Sequence, residues 1–141
     1  MNSNSISEPQ NNNFDSSHHN FPYKDLIVWQ RSIQFASGIM DLTETLRSTR
    51  KNYRLFEQME AAVTSIPMNI AEGKGRISKK EFCHFLMIAR GSLYETLTLL
   101  EIFKFRSWIS EDEFKQFENQ AKEISIKINA LYKSISKSMK N

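Results

Sequence analysis

The chain has 141 residues, 40% hydrophobic and 25% charged, with a formal net charge of +3 and a pI near 9.0. That balance describes one globular domain, long enough to bury a core and too short for two, and it disfavours a wholly disordered chain. No apolar run approaches the ~20 residues needed to cross a bilayer, and the single cysteine, Cys83, rules out an intramolecular disulfide framework and fits a reducing cytoplasm.

Four glycines and three prolines leave few points at which the chain can turn, so the elements between them must be long, and long elements in a chain of this size are helices. Residues 1–20 carry only Ile6 and Phe14 to bury among polar residues, which predicts a disordered tail. With neither a basic start nor an apolar segment, the tail is not expected to act as a signal peptide. His18 and His19 lack further ligands nearby, so solvated side chains are expected rather than a metal site.

The folded region is expected over residues 21–136, with 137–141 fraying. Asp25 is a candidate N-cap for a first helix in which Leu26, Trp29, Ile33, Ala36 and Met40 recur at steps of three and four. Val28, Phe35, Ile39, Leu42 and Leu46 widen that stripe. So broad an apolar face either meets two neighbours within one bundle or is covered in part by another subunit. The polar run 47–52 is the first connection. A second helix follows with Leu55, Met59, Ala62, Ile66 and Ile70 on one face, flanked by Phe56 and Val63. Pro67 should kink it. Gly73 and Gly75 should end it by accepting left-handed geometry.

Ser78 and Glu81 have the spacing of a capping box, opening a third helix striped by Phe82, Leu86, Ala89, Leu93, Thr96, Leu97, Leu100 and Phe103. Gly91 and Ser92 notch its middle, where another backbone could approach. A second capping box, Ser110 with Glu113, opens a fourth helix, and Ile109 is placed as a staple. Phe114, Phe117, Ala121, Ile124, Ile128, Leu131 and Ile135 then form an unbroken heptad seam. Four helices on short connections predict an all-α, antiparallel up-down-up-down four-helix bundle.

That topology places the second connection, the start of helix one and the end of helix four at one end. Lys74, Arg76, Lys79 and Lys80 would gather there with Lys24, Lys133, Lys137 and Lys140, partly offset by Asp25, Glu72 and Glu81. Such a surplus either holds phosphates by counterion release or is a solvated face complementing the helix-four dipole. The 73–75 Gly-Lys-Gly turn lacks the spacing of a phosphate loop. Cys83 and His84 diverge by roughly 100° on a helix, so they form no nucleophile and base pair. Glu95 and Glu101 do not make the Glu-x-x-His pairs of di-metal bundles. No base, nucleophile and orienter assemble, so no catalysis, cofactor or metal is expected.

At KDLIVW (24–29), SIPMNIAEG (65–73), Gly75-Arg76, SKKEF (78–82), Ala89, GSL (91–93) and Glu95, the chain resembles the bacterial 23S rRNA intervening-sequence proteins over residues 21–132. The resemblance implies a four-helix bundle without an assigned activity, and related bundles form homopentameric rings. A related branch, the accessory variability proteins of diversity-generating retroelements, implies binding of nucleic acid and a reverse transcriptase through a basic ring surface. Carried over, this favours Arg76, Lys79 and Lys80 as contacts. The chain departs from the family pattern at Arg50, Lys51 and Asn52, where a proline and an acidic residue are common, and at Glu60, where arginine is common.

The expectation is a cytoplasmic, non-enzymatic homo-oligomer, a pentamer, binding structured RNA or DNA through Lys74, Arg76, Lys79, Lys80, Lys133 and Lys137. The alternative is an oligomeric protein-interaction scaffold using the Gly91–Ser92 notch and the wide face of helix one.

Overall fold

The computed structural model describes residues 21–139 and comprises a 3-10 turn, Pro22–Asp25, and four α-helices: α1 (Ile27–Arg47), α2 (Tyr53–Lys74), α3 (Lys79–Phe105) and α4 (Glu111–Ser138). Among the described residues there is no strand. The polar tail, with His18 and His19, and Lys140 lie outside the described residues.

Each helix packs on its sequence neighbours, α4 closes back on α1, and α2 with α3 forms the most extensive pair. Contacts fix the directions. Between α2 and α3, Gln58 donates to Glu95, the Ser65 and Ser92 hydroxyls lie 2.8 Å apart, and Gly73 abuts Phe82 and Phe85. Residue numbers rise on one helix as they fall on the other, which only antiparallel helices give. Between α1 and α4, Arg31 meets Glu123 at 3.1 Å while Phe35 meets Phe117 with ring centroids 6.4 Å apart. Between α3 and α4, Lys104 meets Glu111 at one end while Phe82 shares a cleft with Leu131 at the other. With these three pairs antiparallel, α1 must also run opposite to α2.

Val28, Ser32, Phe35, Ile39, Leu42 and Leu46 form the inner line of α1, a regular alternation of steps of three and four, with Ala36 and Thr43 buried beside it. Ser32 disguises it in the sequence. Its hydroxyl donates to the Trp29 carbonyl at 2.7 Å, so its burial strands no donor. Met40, which the sequence suggested as core, is exposed and Ile33 half-buried. Asp25 is not the N-cap: it closes the 3-10 turn, and Leu26 takes that position without a side-chain cap. All seven residues of the α4 seam pack in or against the core. α4 stays helical to Ser138, past the residue-136 boundary suggested by polarity, while its Ile135 packs against the core.

The helix ends divide by chemistry. Ser110 and Glu113 make both bonds of a capping box, each 3.1 Å. At α3 only the serine half forms, Glu81 N–H donating to Ser78 Oγ at 3.3 Å. The left-handed residue expected at Gly73 or Gly75 is at neither: α2 passes through Gly73, and its C-cap Gly75 has φ −77°. It is Ser107, at φ 58°. Ser107 N–H donates to the Lys104 carbonyl and Trp108 N–H to that of Phe103, the two bonds of a Schellman motif, with the Trp108 and Phe103 rings 5.2 Å apart. Replacing Ser107 with glycine is expected to stabilise the fold by about 0.5–1 kcal/mol, because glycine occupies that φ without steric cost. A urea midpoint that falls in Ser107→Gly would contradict this.

Gly91 meets nothing within 4 Å of an added Cβ, so no backbone of this chain fills the notch expected there. Gly91→Ala should therefore raise the stability of the monomer unit by about 0.5–1 kcal/mol, read as a higher urea midpoint. A loss would show that something outside this chain occupies the notch.

Candidate nucleic-acid interface

The α2–α3 corner is held tightly from below. An added Cβ on Gly73 would lie 2.8 Å from Phe85 Cβ and 3.3 Å from the Phe82 carbonyl oxygen, so glycine is what lets the end of α2 touch the start of α3. Gly75 N–H donates to the Ala71 carbonyl and Arg76 N–H to that of Gly73, both at 3.1 Å, and Ser78 caps α3. Asn69 Nδ2 donates to the Ser65 carbonyl at 2.7 Å and to Ser65 Oγ at 2.9 Å, tying the proline-containing turn to the Ser65–Ser92 contact. α2 remains one continuous helix across the buried Pro67.

This frame gathers part of the expected cluster. Lys74, Arg76 and Lys79 line one cleft of about 220 Å³, together with Ile77 and Ser78. Phe82, Leu131 and Ile135 complete its lining, so the end of α4 abuts the corner. Lys80 follows on α3 and is exposed. Lys133 and Lys137 share this end but line a separate recess with Tyr132 and Ser136. Residues two apart on a helix point about 200° apart, so these two lysines face away from the Leu131 and Ile135 side of α4. The expected six-residue cluster thus splits into a corner group and an α4 group.

Both ends of the bundle mix paired cations with unpaired ones. Arg47 bonds Glu60, and Lys104 lies 3.1 Å from Glu101 and 4.0 Å from the Phe114 ring centroid. The hydrogen bond to Glu60 raises the Arg47 pKa, and that to Glu101 raises Lys104's. Glu60, the departure from the family pattern noted above, is thus engaged by the end of α1. At the corner, Arg76 is held by Glu72 at 2.7 Å and lies 4.9 Å over the Phe85 ring, while Lys74 lies 5.8 Å over Phe82. Lys79, Lys80, Lys133 and Lys137 form no ion pair with a described carboxylate. Lys79 and Lys80 also occupy the first turn of α3, the positive end of its dipole, where a cation costs roughly 0.3–1 kcal/mol. Glu81 offsets part of that. Lys137, in the last turn of α4, complements its dipole instead.

Cys83 is buried beside the corner, and burial pushes its thiol pKa up. It should label with a thiol reagent at neutral pH at least about tenfold more slowly in the native than in the urea-unfolded chain, since only the thiolate reacts. Equal rates would show an open thiol. Among the described residues no group of His, Cys, Asp or Glu is placed to hold a metal ion, and no helix is long and apolar enough to cross a membrane.

The profile of the 23S rRNA-intervening sequence proteins matches residues 24–130. The chain belongs to that family. The match takes in the α2–α3 corner, with Lys74, Arg76, Lys79 and Lys80, and stops short of Lys133 and Lys137. Among solved structures, the chain is similar to a crystal structure at 1.70 Å of a protein with unknown function from the S23 ribosomal protein family of Bacteroides thetaiotaomicron VPI-5482, with a TM-score of 0.73 and 27% sequence identity over 76% of this chain and 99% of that one. No curated protein matches.

Proposed function

We propose that this 23S rRNA-intervening sequence protein is a non-enzymatic homo-oligomeric bundle that binds structured RNA or DNA by its α2–α3 corner, through lysine contacts to phosphates. One observation carries the reading: Lys79 and Lys80 are exposed, unmatched by any described carboxylate, and set against the dipole of their own helix. Stability alone gives no reason for two cations there, whereas phosphates gain both from their charge and from the free N–H groups of the helix start. Family membership supports a role near RNA. The pentameric ring and a place in an RNA or reverse-transcriptase complex follow from the resemblance and belong to this same reading. Titrating the chain with rRNA fragments and duplex DNA between about 50 and 300 mM salt should give affinities falling linearly in log–log form. Binding that is absent or insensitive to salt would overturn it.

A second reading, a protein-interaction scaffold, has its own support in the outward stripe of α3. Ile88, Gly91, Ile102 and Phe105 share one face, interrupted by exposed Glu95 and Thr98, with Phe105 90% exposed and Ile102 beside it in an open recess. Such a stripe fits a subunit contact as well as a foreign protein. Light scattering of the purified chain decides: an oligomer lost in Phe105→Glu assigns the stripe to self-association, and a monomer at micromolar concentration overturns the oligomer.

A further inference from the structure

The corner cleft holds two chemistries that a purely electrostatic contact does not use. Its rim is basic, Lys74, Arg76 and Lys79, while its inner lining is apolar: buried Phe82 and half-buried Leu131 and Ile135. Ile77 also lines it, fully exposed at 105% of its reference area. This isoleucine is not on a loose tip, because the turn's backbone bonds and the Ser78 cap fix residues on both sides of it. Phosphates alone gain nothing from an apolar recess, and an uncharged peptide side chain gains nothing from Lys74 and Lys79, which form no ion pair with a described carboxylate while Arg76 is held by Glu72. A nucleotide has an apolar ring face within a few ångströms of its phosphates and uses both. An anionic lipid also combines the two, and vesicle binding is one outcome of the test below.

We propose that this cleft receives an unstacked nucleobase from a single-stranded stretch of nucleic acid, with the adjoining phosphates held by Lys74 and Lys79. The proposal rests on the corner binding nucleic acid, and adds what it selects: unpaired nucleotides rather than continuous duplex. Ile77 acts as the apolar wedge at the mouth, keeping the neighbouring base from restacking, while the base lies against the apolar lining. The rim lysines supply the sequence-independent part of the affinity and the lining supplies the preference for an exposed base.

The test compares binding of the full chain to a mixed-sequence strand of about twelve ribonucleotides, to the same strand with its bases removed, and to a duplex of that sequence. The intact strand is expected to bind about tenfold more tightly than its abasic counterpart, the scale of one stacked base. Ile77→Ala, at a position that buries nothing, should erase most of that ratio and leave the slope of log affinity against log salt unchanged. A deoxyribonucleotide strand showing the same ratio supports the proposal equally and extends it to DNA. Equal affinity for intact and abasic strands, or a duplex bound as tightly as the single strand, overturns the cleft while leaving the electrostatic reading in place. If no strand binds in a salt-dependent way, both fall, and binding to anionic vesicles instead would assign the corner to a membrane surface.

Discussion

Replacing Lys74, Lys79 and Lys80 together with glutamate is expected to lower affinity for RNA by about 100-fold or more near physiological salt and to flatten the log–log salt slope by at least about 2. Each phosphate contact releases roughly 0.7–0.9 of a counterion, so three lost contacts set that figure before any repulsion is added. The variant should fold. None of the three lysines forms an ion pair with a described carboxylate; glutamate at positions 79 and 80 suits the first turn of α3 better than lysine, and these two gains outweigh the one loss at Lys74 in the last turn of α2, each worth about 0.3–1 kcal/mol. A urea midpoint equal to or above that of the parent, with affinity lost, separates binding from stability. Lys133→Glu with Lys137→Glu is the matched comparison, because these residues line a different recess. An equal loss from that pair would place the contact on α4. Unchanged affinity in the triple variant would remove the corner from the interface altogether.

Gly73→Ala is expected to destabilise the fold by about 1–3 kcal/mol, the usual cost of overpacking. Its methyl carbon would meet Phe85 Cβ at 2.8 Å and the Phe82 carbonyl oxygen at 3.3 Å. Neither is the far end of a flexible side chain, so relief requires α2 and α3 to move apart at the corner. Gly75→Ala is the control. Its added methyl would lie 3.5 Å and 3.6 Å from the nearest atoms and its φ of −77° suits any residue, so a change within about 0.5 kcal/mol is expected. Urea denaturation of both variants distinguishes them. A neutral Gly73→Ala would mean that the helices tolerate a wider spacing there, and that this glycine is kept for something other than close approach.

These two glycines show where sequence reasoning went astray. Both were expected to terminate α2 by adopting left-handed geometry, since glycine before a new cap is the commonest sign of a helix end. The helix does end there, but with an ordinary right-handed cap, and Gly73 is needed for contact with a residue twelve positions away. The left-handed position fell on Ser107, whose serine gave no warning. In α1, Ser32 concealed the true core register, because a hydroxyl bonded to its own helix can be buried at little cost while its letter reads as surface. Ile77 had no signal at all as a site residue; only its full exposure beside the cleft marks it.

What the sequence by itself determined was the set of local consistencies: four helices between its breakers, the Ser110–Glu113 box, the heptad seam of α4, and short connections that force neighbours to run antiparallel. The basic corner motif was legible in the same way, as adjacent letters. Only the tertiary structure decided that Ser32 turns inward on α1 and Met40 outward, that Leu131 and Ile135 reach the corner while Lys133 and Lys137 turn away, and that Glu60 is held by Arg47. The physical reason is one of range. Periodicity and capping depend on residues within a turn or two, whereas a cleft or an ion pair between helices depends on the rotation and spacing of two cylinders. Those are fixed by packing across the whole core.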